Sequence, residues 1–116
     1  MLKIIVAGSR SFNNYELLTE RLNFYIGTHT DVEIVSGTAR GADKLGERYA
    51  TEKGFLIKRF PADWDKYGKR AGYLRNEEMA KYASHAVIFW DGVSRGTANM
   101  IELCERYSLN YRVVRF

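Results

Sequence analysis

The chain predicts an α/β domain built on a parallel sheet of about five strands with about four helices, and two observations carry that expectation. Five apolar runs, at Leu2–Ala7, Val32–Val35, Phe55–Phe60, Ala86–Trp90 and Tyr111–Val114, alternate with four helical patterns. Two of the runs, Ile4-Ile5-Val6-Ala7 and Ala86-Val87-Ile88-Phe89-Trp90, are continuously apolar, as strands covered on both faces are. Strands that alternate with helices imply right-handed β-α-β units. In such sheets ligands bind beyond the carboxyl ends of the strands, where strand order reverses.

The helices are marked by period and by caps. Asn13, followed three residues later by Glu16, resembles a capping box, and Leu18, Leu22, Tyr25 and Ile26 then share one face. The second helix carries Ala42, Leu45, Tyr49 and Ala50 at helical spacing and stops at Gly54, a C′ residue by type. In the third, the stripe of Met79, Ala80 and Ala83 continues backwards through Asn76, Arg75 and Gly72, so polar residues occupy the core-facing stripe of its first turns. Packed on the sheet, such a helix aims Arg75 and Asn76 past the strand ends, where a ligand sits. The fourth begins near Thr97 and aligns Met100, Ile101, Cys104 and Ser108.

Three strand-to-helix loops share one chemistry: Gly8-Ser9-Arg10-Ser11, Ser36-Gly37-Thr38-Ala39-Arg40-Gly41, and Gly92-Val93-Ser94-Arg95-Gly96-Thr97. Glycine lets a ligand approach the backbone, and a helix N-terminus offers unpaired N–H donors at its positive end. Hydroxyls and guanidinium groups add donors suited to phosphate or carboxylate. Three such loops in one small domain point to an anionic, nucleotide-like ligand. Asp43 and Lys44 open the second helix; Ala42 and Asp43 are expected at the ligand, and for Asp43 a plain helix-end charge is the alternative.

Between the third strand and third helix runs Pro61-Ala62-Asp63-Trp64-Asp65-Lys66-Tyr67-Gly68-Lys69-Arg70-Ala71-Gly72, longer than the usual connection of an α/β unit. Trp64, Tyr67 and Tyr73 can stack on a base while Lys69, Arg70 and Arg75 meet phosphates; equally, Trp64 can plug the loop onto the body of the protein. Asp91 suits a ribose or a turn. Asn99 and Glu102 lie off the best apolar stripe of their helix, suiting either a site or the surface.

Composition bounds the alternatives. The 116 residues suit one domain with a real core, and 46% hydrophobic with 28% charged residues is ordinary globular composition. A net charge of +4 favours anionic partners, yet no Lys/Arg run of nucleic-acid type appears. No apolar run approaches the roughly 20 residues of a membrane span, and the N-terminal Met-Leu-Lys-Ile-Ile-Val reads as a strand rather than a leader. One cysteine leaves no internal disulfide and fits a reducing cytoplasm. Cys104 sits on a helix stripe as a core residue would, and His29 and His85 lack companion ligands, so no metal site or cofactor is expected. Neither a Gly-x-Gly-x-x-Gly fingerprint nor a P-loop occurs.

Taken in order, Gly8-Ser9-Arg10-x-Phe12, Ser36-Gly37-x-Ala39-x-Gly41-Ala42-Asp43, Phe60-Pro61-Ala62-Asp63-Trp64, Tyr67-Gly68-Lys69-x-Ala71-Gly72, Arg75-Asn76-x-x-Met79 and Phe89-Trp90-Asp91-Gly92-x-Ser94-x-Gly96-Thr97-x-Asn99-Met100-Ile101 resemble the YspA/YpsA-related SLOG family. The resemblance implies a Rossmann-like, three-layer domain over residues 1–116, strand order 3-2-1-4-5, that binds nucleotides or nucleotide-derived ligands and self-associates. Relatives include the LOG phosphoribohydrolases, the DNA-processing protein DprA and sensor domains attached to antiviral effectors. The LOG relatives cleave nucleoside monophosphates with an arginine, matched by Arg75, and a glutamate three residues after a loop threonine. Here Met100 follows Thr97 at that spacing, so the expected role is binding: sensing or sequestering a nucleotide-derived molecule. The alternatives are N-glycosidic hydrolysis using Arg75 with Asp91, Glu77 or Glu102, and, third, single-stranded DNA binding. In the binding reading the phosphates rest on the N–H groups of the second and third loops. Arg10, Arg40 and Arg75 are counter-charges, Asp91 favours the ribose, and Trp64 or Tyr67 covers the base.

Overall fold

The computed structural model describes residues 1–116. Its elements in order are β1 (Leu2–Gly8), α1 (Tyr15–Ile26), β2 (Val32–Ser36), α2 (Ala42–Lys53) and β3 (Leu56–Arg59). A single-turn helix α3 (Trp64–Tyr67) and a 3-10 turn over Gly68–Arg70 follow, then α4 (Ala71–Tyr82), β4 (His85–Trp90), α5 (Arg95–Arg106) and β5 (Asn110–Arg115). All pairings are parallel, in the order β3-β2-β1-β4-β5. This is the α/β Rossmann-like domain expected. Its order reverses at β1, which pairs Ile5 with Val35 of β2 on one side and with Ala86 of β4 on the other.

Alternation along the strands divides the core between the two faces of the sheet. Ile4 and Val6 of β1 face α1 and α2 and pack with Leu18, Leu22, Ile34, Tyr49 and Phe89. Ile5 and Ala7 face α4 and α5 and pack with Val35, Met79, Ile88, Met100 and Cys104. Each large aliphatic chain removed from water in this way contributes about 1.5–3 kcal/mol. That two-sided burial is why β1 and β4 read as unbroken apolar runs. No helix is long and apolar enough to cross a membrane.

Boundaries depart from the sequence expectations where local hydrogen bonds decide them. The cap of α1 is Asn14 rather than Asn13: the Asn14 side chain accepts from Leu17 N at 3.0 Å. Gly54 is left-handed as expected, but Phe55 donates its N–H to Ala50 O and so closes α2 instead of opening β3. Helix α5 starts at Arg95, after Ser94, and ends at Arg106. Ser108 therefore lies beyond the stripe, in a left-handed turn with φ 58°. The long connection is largely helical, opened by Asp63, whose carboxylate accepts from Lys66 N at 3.1 Å.

Candidate functional site

A cleft of about 740 Å³ lies at the carboxyl ends of the strands. The first loop reaches it through Gly8, Ser9, Arg10 and Ser11, and the second through Ala39, Arg40 and Asp43. Trp64, Lys69, Gly72, Tyr73, Arg75 and Asn76 come from the α3–α4 segment, and Asp91, Ser94, Gly96 and Thr97 from the third loop. All three glycine loops and the polar start of α4 thus meet in one place.

Several expected site residues build the walls instead of lining the space. Ser36 is buried; its hydroxyl donates to Glu47 Oε2 at 2.6 Å and accepts from Thr38 N at 3.0 Å. That second bond holds Thr38 in a left-handed turn, φ 65°. Gly41 has φ 85°, and a Cβ there would stand 2.6 Å from Ser9 O, so the first and second loops touch through it. Ala42 is fully buried beneath Gly8, Gly92 lies against Arg115, and Asn99 accepts from Asn76 Nδ2 at 3.1 Å.

Ser9 ties the first loop to the third: its N–H donates to Phe89 O at 2.9 Å and its hydroxyl accepts from Asp91 N at 3.2 Å. Asp91 in turn closes its own loop, with Oδ1 accepting from Val93 N at 2.9 Å and Ser94 N at 2.8 Å. Those backbone N–H groups hold its carboxyl below the usual range, so it is ionised at neutral pH. In the second loop Ala39 N donates to Asp43 Oδ2 at 3.2 Å. The amides of Thr38, Ala39, Val93 and Ser94, placed on phosphate by the sequence reading, are therefore occupied by the protein's own acceptors. The open donors lie in the first turns of α2 and α5, neither of which has a side-chain cap.

Arg75 bridges two walls: Nη1 donates to Gly37 O, and Nε to Asn76 Oδ1 at 3.0 Å. Asn76 Nδ2 continues to Gly96 O at 3.3 Å, joining α4 to the start of α5. Burial lowers the Arg75 pKa, which leaves a guanidinium charged at neutral pH. Asp43, only 5% exposed, is pushed up to about 6 by burial against the opposing pull of Ala39 N–H and Arg75.

Of the other carboxylates considered, Glu77 accepts from Tyr107 Oη at 2.9 Å and meets Arg106 at 3.8 Å, away from the cleft lining. Glu102 is exposed and also outside the lining. Trp64 lines the cleft half-exposed while its indole lies against Gly72 of α4, where a Cβ would stand 3.3 Å away, so the side chain touches the body of the protein and keeps a face open to the cleft. The sequence reading missed the apolar floor formed by Met79 and Met100. The signal was present: each lies three residues after a polar cleft residue, Asn76 or Thr97, on the same helix face. Cys104 is buried and its thiol is pushed up to about 12 by burial, as an inert core residue.

A parallel sheet with a polar cleft at its switch point, walled by glycine loops and helix N-termini, defines a Rossmann-like ligand-binding domain. The chain belongs to the YspA, cpYpsA-related SLOG family, whose model matches residues 2–67. It is 28% identical over 116 residues to the Gene 61 protein of Mycobacterium phage D29, covering 91% of this chain and 90% of that protein. Among solved structures it is similar to DNA processing protein A from Helicobacter pylori, described for its single-stranded DNA binding mode, with a TM-score of 0.71 and 19% identity. That match covers 97% of this chain but 64% of the other, so this chain spans under two thirds of its length.

Proposed function

We propose that residues 1–116 act as one domain that binds a nucleotide or nucleotide-derived small molecule, sensing or sequestering it. The observation that carries this is the convergence, in one cleft of about 740 Å³, of Arg10, Arg40, Lys69 and Arg75 with the open first turns of α2 and α5. Four cations and unpaired backbone donors suit a phosphate. Half-exposed Trp64 and Tyr73 offer a base two aromatic faces, and Met79 with Met100 gives it an apolar floor. Isothermal titration with nucleoside monophosphates, ADP-ribose and cyclic nucleotides tests the reading. Saturable binding by at least one supports it; no heat from any of them with folded protein removes it.

Hydrolysis has less support, because Glu77 and Glu102 lie outside the cleft lining, and Asp91, which lines it, is held ionised by the Val93 and Ser94 amides and so is a poor proton donor. Release of free base from a nucleotide library, lost in Arg75→Ala, is the observation that would establish it. A specific feature favours single-stranded nucleic acid as the second reading: Trp64, Tyr67 and Tyr73 are all exposed beside Lys66, Lys69 and Arg70. Bases stack on such platforms while cations track phosphates. An oligonucleotide affinity that falls steeply with salt supports this reading, since phosphate contacts release counterions; a flat response removes it.

A further inference from the structure

We propose that Asp43 makes the cleft select a ligand bearing a free sugar diol, and directs the phosphate away from the second loop to the start of α5. The inference rests on the nucleotide reading above and assigns an orientation within the same cleft.

Both α2 and α5 begin at the cleft without a side-chain cap, so their positive ends are open in kind. They differ in charge. The first turn of α2 carries Asp43, while that of α5 carries no acidic residue. A phosphate at α2 would lie against a carboxylate that is nearly buried, where like charges repel strongly. The second-loop amides that would offset this are committed, Thr38 N to Ser36 Oγ and Ala39 N to Asp43 Oδ2. At α5 the phosphate meets first-turn N–H groups and the Thr97 hydroxyl instead.

Asp43 has the opposite preference. Its side chain is almost fully buried yet lines the cleft; Oδ2 accepts from Ala39 N at 3.2 Å, and the Gly37 N–H also draws on the carboxylate. Oδ1 itself makes no well-aligned hydrogen bond within the protein and can still accept from a ligand. Two hydroxyls of a ribose supply two donors to one carboxylate, the charge-assisted pairing that such a group favours. Asp91 is a poorer reader of hydroxyls, because Val93 N and Ser94 N share its Oδ1 and the Ser9 hydroxyl also draws on its carboxylate. Burial pushes this carboxyl up to about 6, so it is ionised and able to accept from hydroxyls at pH 7.5.

The test compares the four ribonucleoside monophosphates with their 2′,3′-dideoxy counterparts by calorimetry at pH 7.5, on wild type and Asp43→Asn. Near-UV circular dichroism verifies the fold. Wild type is expected to bind at least one ribonucleotide tenfold or more tightly than its dideoxy form. Asp43→Asn should shrink that ratio to threefold or less while binding the dideoxy form no worse than wild type does. Equal binding of the two forms by wild type, or an unchanged ratio in Asp43→Asn, overturns the diol assignment and leaves nucleotide binding intact. No binding of any of the eight compounds overturns the diol assignment, and the nucleotide reading falls with it only if ADP-ribose and the cyclic nucleotides also give no heat. The wild-type ratio alone decides the matter if the variant does not fold.

Discussion

Asp43 of α2 and Arg75 of α4 close on the same face of Gly37. A Cβ placed on that glycine would stand 2.7 Å from Asp43 Oδ2 and 2.9 Å from Arg75 Nη1. The second loop is thus pinned from both walls, by the Ala39 amide on Asp43 and by the Gly37 carbonyl under Arg75. The pair faces the cleft without forming an ion pair, which leaves charge of both signs available to a ligand. Four consequences can be measured.

The first concerns pH. Burial holds the folded-state pKa of Asp43 at about 6, above the ordinary aspartate value of 3.8. The folded protein therefore binds more protons at this site than the unfolded chain between pH 4 and 6, and stability falls as pH rises through that window. The full cost stands above pH 6, at most about 3 kcal/mol. Arg75 on α4 and Glu47 on α2 are the charges facing it, and they act in opposite senses. Asp43→Asn should raise stability at pH 7.5 in urea denaturation, with the gain vanishing near pH 4. A destabilised variant at pH 7.5 would contradict the burial cost.

The second separates binding from stability. Nothing lies within 4 Å of a Cβ built on Gly96, and its φ is not left-handed. Gly96→Ala should therefore hold or slightly gain stability, by up to about 1 kcal/mol through loss of unfolded-state freedom. Because Gly96 lines the cleft, the added methyl should still weaken nucleotide binding. Affinity equal to wild type would show that no ligand approaches the backbone of α5.

The third concerns Arg75→Lys. The charge survives, but one ammonium cannot hold both Gly37 O and Asn76 Oδ1 in the fork that guanidinium provides. Loss of a charged hydrogen bond should cost about 1.5–3 kcal/mol of stability, and ligand affinity should fall about tenfold, or 1.4 kcal/mol. Thermal unfolding and calorimetry read the two effects. A variant as stable as wild type would mean that Arg75 does not brace the second loop.

The fourth tests the packing of α2 on β1. Gly46→Ala gains up to about 1 kcal/mol of helix propensity, but the new Cβ would sit 2.8 Å from Val6 Cβ and Cγ1. Val6 is itself fully buried, and overpacking of this kind costs about 1–3 kcal/mol. Net destabilisation is expected as a lower denaturation midpoint. A more stable variant would show that α2 can move off the sheet.

Much of this was legible in the chain. The unbroken run Ile4-Ile5-Val6-Ala7 announced a strand buried on both faces, and the polar stripe of Arg75 and Asn76 announced a helix aimed at the strand ends. What stayed hidden was who bonds to whom. Asn13 and Asn14 are equally good caps by type, and only the backbone path brings Asn14 to Leu17 N. The loop amides looked free because nothing in the order of residues shows Asp91 folding back on Val93 and Ser94, or Asp43 reaching Ala39 across one turn. Glu77 was a candidate acid until its pairing with Tyr107, thirty positions away, drew it to the other side of α4.

A proton–nitrogen NMR titration of wild type with AMP and with ADP-ribose tests most directly whether this cleft takes a nucleotide. Saturable shifts are expected at the Gly8, Arg10, Gly96 and Thr97 amides and at Arg75 Nε–H for at least one of the two. Residues of the smaller cavity by Phe24 and Arg112 should stay unmoved. Shifts confined to that smaller cavity, or no saturable shift with either compound, would contradict nucleotide binding in the cleft.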